Sequence, residues 1–394
     1  MADKKALLIN TNTNGGNRWL PLQFTSIATD NTTIADINLG HDIVGEIKKG
    51  YDIVGLSVLS SSRWDAFDTA RLVRKLSPKS VIVMGGAHAT AMPDNCKKHC
   101  DIVVVGDGES AFRDVCEGRD PVSTPTNLNN VWQRYDLVDP RLYRRVAIQA
   151  TRGCRYKCRF CSSWWTQGEY RMREPSKVAW EIKKVLMVYS LRDFYFNDDS
   201  FYLDKEKAIE FCGLIDGLRI RFHIETRADI IDKEYAEALK RAGCSKVQVG
   251  LESGSPEIRT GKSVDSTYNG IRACKDAGLK VDANLIVGNE GETDETIEET
   301  RRFLKLADPD SISTTRHGLL LFPGTAIYQR AKRDGDINDE FWESRTPFKT
   351  YKYSQEQIGR WNRRIYSFKP KIYLRYLYDK WRANEQAKVS RRAV

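Results

Sequence analysis

Cys154, Cys158 and Cys161 lie within eight residues of chain, in the run Arg152-Gly153-Cys154-Arg155-Tyr156-Lys157-Cys158-Arg159-Phe160-Cys161, with the spacing C-x3-C-x2-C. Three thiolates on so short a loop can reach three irons of a 4Fe-4S cubane. One iron then keeps an open coordination position, as a cluster that binds a reactant requires. A structural zinc ion usually takes four protein ligands, commonly as two separated pairs, and no second pair or nearby histidine completes this set. Unliganded core cysteines call for apolar neighbours, whereas Arg152, Arg155, Lys157 and Arg159 surround these thiols with positive charge that favours the thiolate. The donor set favours the cluster over either alternative, and spacing alone leaves both open.

The elements that must position this loop follow from periodicity. Strands are expected at residues 146–151, 193–197, 221–226, 246–251, 281–287 and 312–321. Helices are expected at 176–189, 205–217, 232–242, 266–277 and 294–306. Six strands separated by helices and joined by right-handed crossovers make an incomplete parallel (β/α)6 barrel, with function collecting where strands end. The cysteine run directly follows the first of them. Polar residues end three others: Asp198 in Asn197-Asp198-Asp199-Ser200-Phe201, Glu225 and Arg227 in Glu-Thr-Arg, and Glu252 and Ser253 in Gly250-Leu251-Glu252-Ser253-Gly254. A polar residue after a strand often caps the next helix instead, and Asp204 and Thr293 are read that way.

Residues 1–117 alternate short apolar runs with helical stretches, with strands expected at 6–10, 33–37, 53–57, 81–84 and 102–105. Gly85-Gly86 and Gly106-Asp107-Gly108 supply tight turns at strand ends. This is the pattern of a Rossmann-like, doubly wound parallel sheet, whose ligands sit beyond the carboxyl ends of its strands. A dinucleotide oxidoreductase is not indicated, because G-x-G-x-x-G and its acidic partner are missing. Residues 118–145, with Pro121, Pro125 and Pro140 and no sustained period, read as a linker, 146–345 as the barrel, and 346–394 as a basic, aromatic helical extension.

That extension holds nearly all of the net charge of +10: from residue 360 onward 11 Lys/Arg face only Asp379 and Glu385. Tyr373, Tyr376, Leu377 and Trp381 are expected to pack as one face of an amphipathic helix, with polynucleotide binding by phosphate contact and stacking as the alternative. Nine cysteines in a chain without a signal peptide or a long apolar span point to a cytoplasmic protein with reduced thiols. Cys96 and Cys100 lack further ligands at suitable spacing and read as structural. Cys116, Cys212, Cys244 and Cys274 read as core.

The C-x3-C-x-aromatic-C run after a strand, with Phe160 at the aromatic position, resembles the signature of the radical S-adenosylmethionine (SAM) superfamily. The resemblance implies that Cys154, Cys158 and Cys161 bind a 4Fe-4S cluster whose open iron takes the amino and carboxylate groups of SAM. One electron from the cluster then breaks a sulfonium bond to leave a carbon radical. It implies that the backbone near Phe160 meets the adenine and that Asp198 receives the SAM ammonium. Glu225, Arg227, Glu252 and Ser253 are expected around the ribose and the SAM carboxylate. The strand-end runs Leu285-Ile286-Val287-Gly288 and Phe322-Pro323-Gly324-Thr325 are similar to the family's fifth and sixth strand exits.

In the N-terminal half, Gly55-Leu56-Ser57, Met84-Gly85-Gly86-Ala87-His88-Ala89-Thr90 and Val105-Gly106-Asp107-Gly108-Glu109-Ser110 resemble the cobalamin-binding domain that precedes the barrel in one branch of that superfamily. Many members of the branch are C-methyltransferases with cobalamin as the methyl carrier, and others perform different radical chemistry. The D-x-H-x-x-G motif of other cobalamin proteins is absent, His41 and His88 lying outside that spacing. The short stretch 11–32 leaves a reduced form of the domain open.

The expected function is therefore a radical SAM enzyme, which cleaves SAM reductively and uses the carbon radical on a small-molecule or biosynthetic intermediate. Its electrons would come from a low-potential donor such as flavodoxin or ferredoxin. The alternatives are a cobalamin-dependent radical SAM C-methyltransferase, 3-amino-3-carboxypropyl transfer from SAM, and a non-catalytic iron-sulfur or nucleic-acid-binding protein.

Overall fold

A computed structural model describes residues 4–11, 19–258 and 261–374. The N-terminal sheet has strands β1 (Ala6–Asn10), β2 (Thr32–Asp36), β3 (Ile53–Ser57), β4 (Val81–Gly85) and β5 (Ile102–Val103) in the order β2-β1-β3-β4-β5. All its pairings are parallel. The central β1 and β3 are buried on both faces, which explains their uninterrupted apolar runs. The order reverses between β1 and β3, and a cleft opens beyond such a switch point.

The second sheet has β6 (Val146–Ile148), β9 (Asp193–Phe196), β10 (Arg221–Thr226), β11 (Cys244–Glu252), β12 (Lys280–Leu285) and β13 (Ser311–Thr314), with β6 at one edge and β13 at the other. A two-stranded antiparallel pair, β7 (Thr151–Arg152) with β8 (Arg171–Met172), brackets the cysteine run. By compactness the chain divides into residues 1–224 with 321–349, and 225–320 with 350–394.

Three expected strands are markedly shorter than their sequences suggest, among them 102–105, which is cut to Ile102–Val103. The first barrel strand stops at Ile148, because Asp198 Oδ1 accepts the N–H groups of Ala150 and Thr151 at 2.8 and 2.9 Å and so takes them from any strand partner. The last ends at Thr314, where Thr315 bonds back to Leu285 O and the chain turns through Gly318 at φ 95°. The stretch 118–145 is packed rather than loose: Tyr135 Oη donates to Glu181 at 2.7 Å and Tyr143 Oη to Asp36 at 3.1 Å. Three short 3-10 turns shape it.

In the second unit the helix Gln355–Tyr366 buries Ile358, Trp361 and Ile365, and Trp361 Nε1 donates to Asp294. Tyr373 is half-buried, whereas Tyr376, Leu377 and Trp381 lie outside the described residues.

Candidate functional site

The cysteine loop is fixed at its root by backbone groups. Gly153 has φ 75°, and a Cβ there would meet the carbonyl oxygens of Gly168 and Glu169 at 2.6 Å, so only glycine lets β7 and the β8 approach lie this close. Its N–H donates to Asp199 Oδ2 at 2.9 Å, and Thr151 Oγ1 donates to Ser200 O at 2.8 Å. The run Asp198-Asp199-Ser200, at the end of β9, is thus a brace along the loop entrance. Further on, Cys161 N–H donates to Cys158 O at 3.0 Å, and Ile327 N–H to Arg159 O at 3.0 Å. Gly324, at φ 84°, lets the 322–325 turn press on the Trp165 ring.

Cys154, Cys158 and Cys161 are half-buried and none of the nine cysteines is in a disulfide. Among the described residues no three His, Cys, Asp or Glu side chains converge as one metal ion would require. A cubane instead offers a separate iron to each thiol, and three half-buried thiols on one braced loop fit that group. Phe160 is half-buried in the turn before Cys161.

Asp198 is buried. Its Oδ1 is spent on the loop, but Oδ2 has no hydrogen-bond partner. Desolvation pushes its carboxyl up to about 8 against the two N–H bonds that favour the anion.

In the second unit, Glu225 is half-buried near the end of β10. Arg227 forks onto Asp229 at 2.9 and 2.6 Å. Glu252 sits at φ 65° where β11 loses register with β12, and Lys262 Nζ lies 3.3 Å from its carboxylate. Ser253 is shut inside, paired with Thr300 Oγ1 at 3.0 Å and accepting Ser255 N–H.

Beyond the carboxyl ends of β1, β3 and β4 lies a cleft, with about 990 Å³ of empty space when the solvent at its open mouth is included. Its walls include Leu8 and Gly55 at the switch point, Gly85, Gly86 and Gly106 on the turns, and Asn197 from the end of β9. The glycines keep it open: a Cβ on Gly86, at φ 97°, would come within 3.0–3.1 Å of Ser57 Oγ and the Val58 backbone, and one on Gly55 within 2.5 Å of Leu8. Such an open, glycine-walled cradle fits a corrinoid or a comparable bulky cofactor.

Among the described residues no histidine lines it. His88 is buried behind the wall with Nδ1 on Ser60 Oγ at 2.9 Å and Nε2 on Asn95 Oδ1 at 3.0 Å, and burial lowers its pKa to about 4. His41 Nδ1 accepts Asp36 N–H at 3.0 Å.

No local pattern in the sequence marks the charged seam along this cavity. Arg152, two residues before Cys154, pairs with Glu109 at 2.7 and 3.1 Å and with Asp107 at 3.2 Å. Arg171 on β8 also pairs with Asp107. All four are largely buried. By sequence Asp107 and Glu109 read only as turn residues, because their partners lie more than forty positions away.

A doubly wound sheet with a glycine-walled cavity, followed by an incomplete parallel barrel that carries a three-cysteine loop after its first strand, defines the class: an enzyme that joins a bulky cofactor to an iron-sulfur centre. Family models agree, the radical SAM superfamily matching residues 148–304 and the B12 binding domain matching 23–116. The chain belongs to the radical SAM superfamily, in the branch with an N-terminal cobalamin-binding domain, and its cofactors are a 4Fe-4S cluster, SAM and cobalamin.

Among curated relatives, an uncharacterized methyltransferase of Pyrococcus horikoshii is 28% identical over 86% of this chain and 83% of its own. The anaerobic magnesium-protoporphyrin IX monomethyl ester cyclase of Rubrivivax gelatinosus is 28% identical over 66% of this chain, which spans about half (55%) of that protein. The fold matches the cobalamin-dependent SAM radical enzyme OxsB with a TM-score of 0.77 at 16% identity, over 91% of this chain and 65% of that one.

Proposed function

We propose that this radical SAM enzyme is a cobalamin-dependent C-methyltransferase acting on a small molecule. The observation that carries the reading is the glycine-walled cleft, which opens at the switch point of the N-terminal sheet and is also lined by Asn197, Gln149 and Arg152 beside the cysteine loop. The methyltransferase name of the Pyrococcus relative, which shares most of its length with this chain, supports the same reading. When bound, the cluster supplies an electron to the SAM sulfonium and the corrinoid supplies a carrier for the methyl group.

The chain's residues do the positioning. Cys154, Cys158 and Cys161 hold three irons, and the Asp198-Asp199-Ser200 brace fixes their loop. Asp198 Oδ2, buried and without a hydrogen-bond partner, offers an acceptor to the SAM ammonium, whose charge would favour the ionised carboxylate. Glu225, Arg227 and Glu252 serve the ribose and carboxylate ends, and Ser253, enclosed against Thr300, supports its turn. The backbone at Phe160 would meet the adenine of bound SAM. A low-potential donor such as flavodoxin or ferredoxin supplies electrons in the cytoplasm. Among the described residues no helix is long and apolar enough to cross a membrane.

A second reading is favoured by the cyclase relative: a deoxyadenosyl radical abstracts hydrogen from the substrate and no methyl group is transferred. The test is anaerobic reconstitution with iron, sulfide and hydroxocobalamin, followed by SAM carrying a deuterated methyl group and a reductant, with Cys158→Ala as control. Retained corrinoid and label passing from SAM to a corrinoid or acceptor support methyl transfer. Cysteine-dependent 5′-deoxyadenosine with all label left in methionine supports the second reading. No cysteine-dependent SAM cleavage would overturn both.

A further inference from the structure

At the opposite ends of β6, β9 and β10 from the cysteine loop, the starts of these strands surround an open hollow. Five arginines line it, Arg144, Arg145, Arg192, Arg219 and Arg221, against one carboxylate, Asp193. Asp193 is already engaged on two sides, with Arg145 Nε 3.3 Å from Oδ1 and Arg221 Nη2 2.5 Å from Oδ2. Arg145 also reaches His223 Nδ1 at 2.9 Å.

The other three cations have no carboxylate within ion-pair distance among the described residues. Arg192 donates to the neutral carbonyls of Leu218 and Arg219, at 2.8 and 3.4 Å, which fixes its fork without compensating its charge. Arg144 rests 5.9 Å from the Trp19 ring centre. Arg219 holds a left-handed backbone at φ 52°, a conformation that glycine would adopt more cheaply, and displays its side chain at the rim. Five like charges around one concavity repel one another, and an arriving anion relieves that repulsion. Guanidinium forks suit phosphoryl oxygens, which they bind two at a time.

We propose that this hollow is a second binding site, for a small molecule bearing a diphosphate group. It lies at the far end of the strands from the cysteines, so its occupant is a tethered or regulatory ligand rather than the reacting substrate. The site is independent of which radical chemistry the enzyme performs.

The experiment is calorimetric titration of the reconstituted holoenzyme at low salt with inorganic pyrophosphate and, separately, with ADP, for the wild type and for Arg144→Ala/Arg219→Ala. Both substituted residues are exposed, so the fold should persist, and circular dichroism checks it. Expected is one class of pyrophosphate sites, weakened about tenfold or more in the double variant and weakened by added salt, with SAM cleavage in the absence of phosphate unchanged. Tighter binding of ADP than of pyrophosphate would make the source a nucleotide, and equal binding would make the diphosphate itself the determinant. Absence of pyrophosphate binding, or binding undiminished in a folded double variant, overturns the proposal. So does RNA binding through these arginines without any binding of pyrophosphate.

Discussion

Asp198 shows how one side chain can serve two ends. Its Oδ1 shapes the loop entrance, while burial holds the carboxyl at about 8, above the ordinary value of 3.8. Between these values the folded protein keeps a proton that the unfolded chain gives up, so this group's contribution is full below pH about 4 and is lost as pH rises through about 8. Glu292, buried at the Gly288-Asn289 turn and pushed up to about 7, acts in the same direction. Urea unfolding of the cofactor-free protein at pH 5 and pH 8 should show lower stability at pH 8. In Asp198→Asn, which keeps the acceptor for Ala150 and Thr151, the difference should shrink.

At Arg152 the same physics runs the other way. Glu109→Ala leaves a buried guanidinium with Asp107 as its one carboxylate among the described residues, beside Gln149 Oε1 at 2.9 Å, and should cost about 3 kcal/mol, measured as a shift in the denaturation midpoint. An undiminished midpoint would show that Asp107 carries the pair unaided.

Among the elements, the short glycine-rooted loop is the least forgiving. Gly153→Ala drives a methyl into two backbone carbonyls and should lower the iron bound after reconstitution severalfold, as measured by colorimetric iron assay. Gly213, inside the helix Lys205–Ile215 with open space around it, is the contrasting case, and Gly213→Ala should raise stability by about 0.5–1 kcal/mol.

These elements were unequally legible. Strands β1 and β3 announced themselves, because a strand buried on both faces is an unbroken apolar run with a turn at each end. The break after Ile148 did not, since it depends on a carboxylate about fifty positions away. Of the site, the cysteine spacing was plain in the sequence because the ligands are neighbours. The seam Arg152-Glu109-Asp107-Arg171 and the arginine hollow are assembled by folding, from segments that carry no local mark.

For the whole molecule, the compact units do not follow chain order. The first gathers residues 1–224 and 321–349. Arg63, fully buried, is the pin: Nε donates to Trp342 O at 2.9 Å, Nη2 to Ser344 O at 2.5 Å and Thr346 O at 2.8 Å, and Nη1 to Ser60 O at 2.8 Å and Pro347 O at 3.4 Å. Loss of solvent lowers its pKa to about 10, still leaving it charged at neutral pH. Arg63→Met abandons those carbonyls and should cost about 3–5 kcal/mol. Arg345→Ala, which breaks an exposed pair with Asp68 and an exposed contact over the Trp64 ring, should stay within about 1 kcal/mol. Parallel denaturation curves decide between them.

The pin also sets a clock on synthesis. Arg63 leaves the ribosome 279 residues ahead of Trp342, and at about 5–20 residues per second this is a wait of roughly a quarter of a minute to a minute. Throughout that interval the nascent N-terminal sheet has a cation held by Ser60 O alone of its five carbonyls. A message that ends early would therefore release a product whose first half can never close, open to proteases and chaperones from the moment of its release.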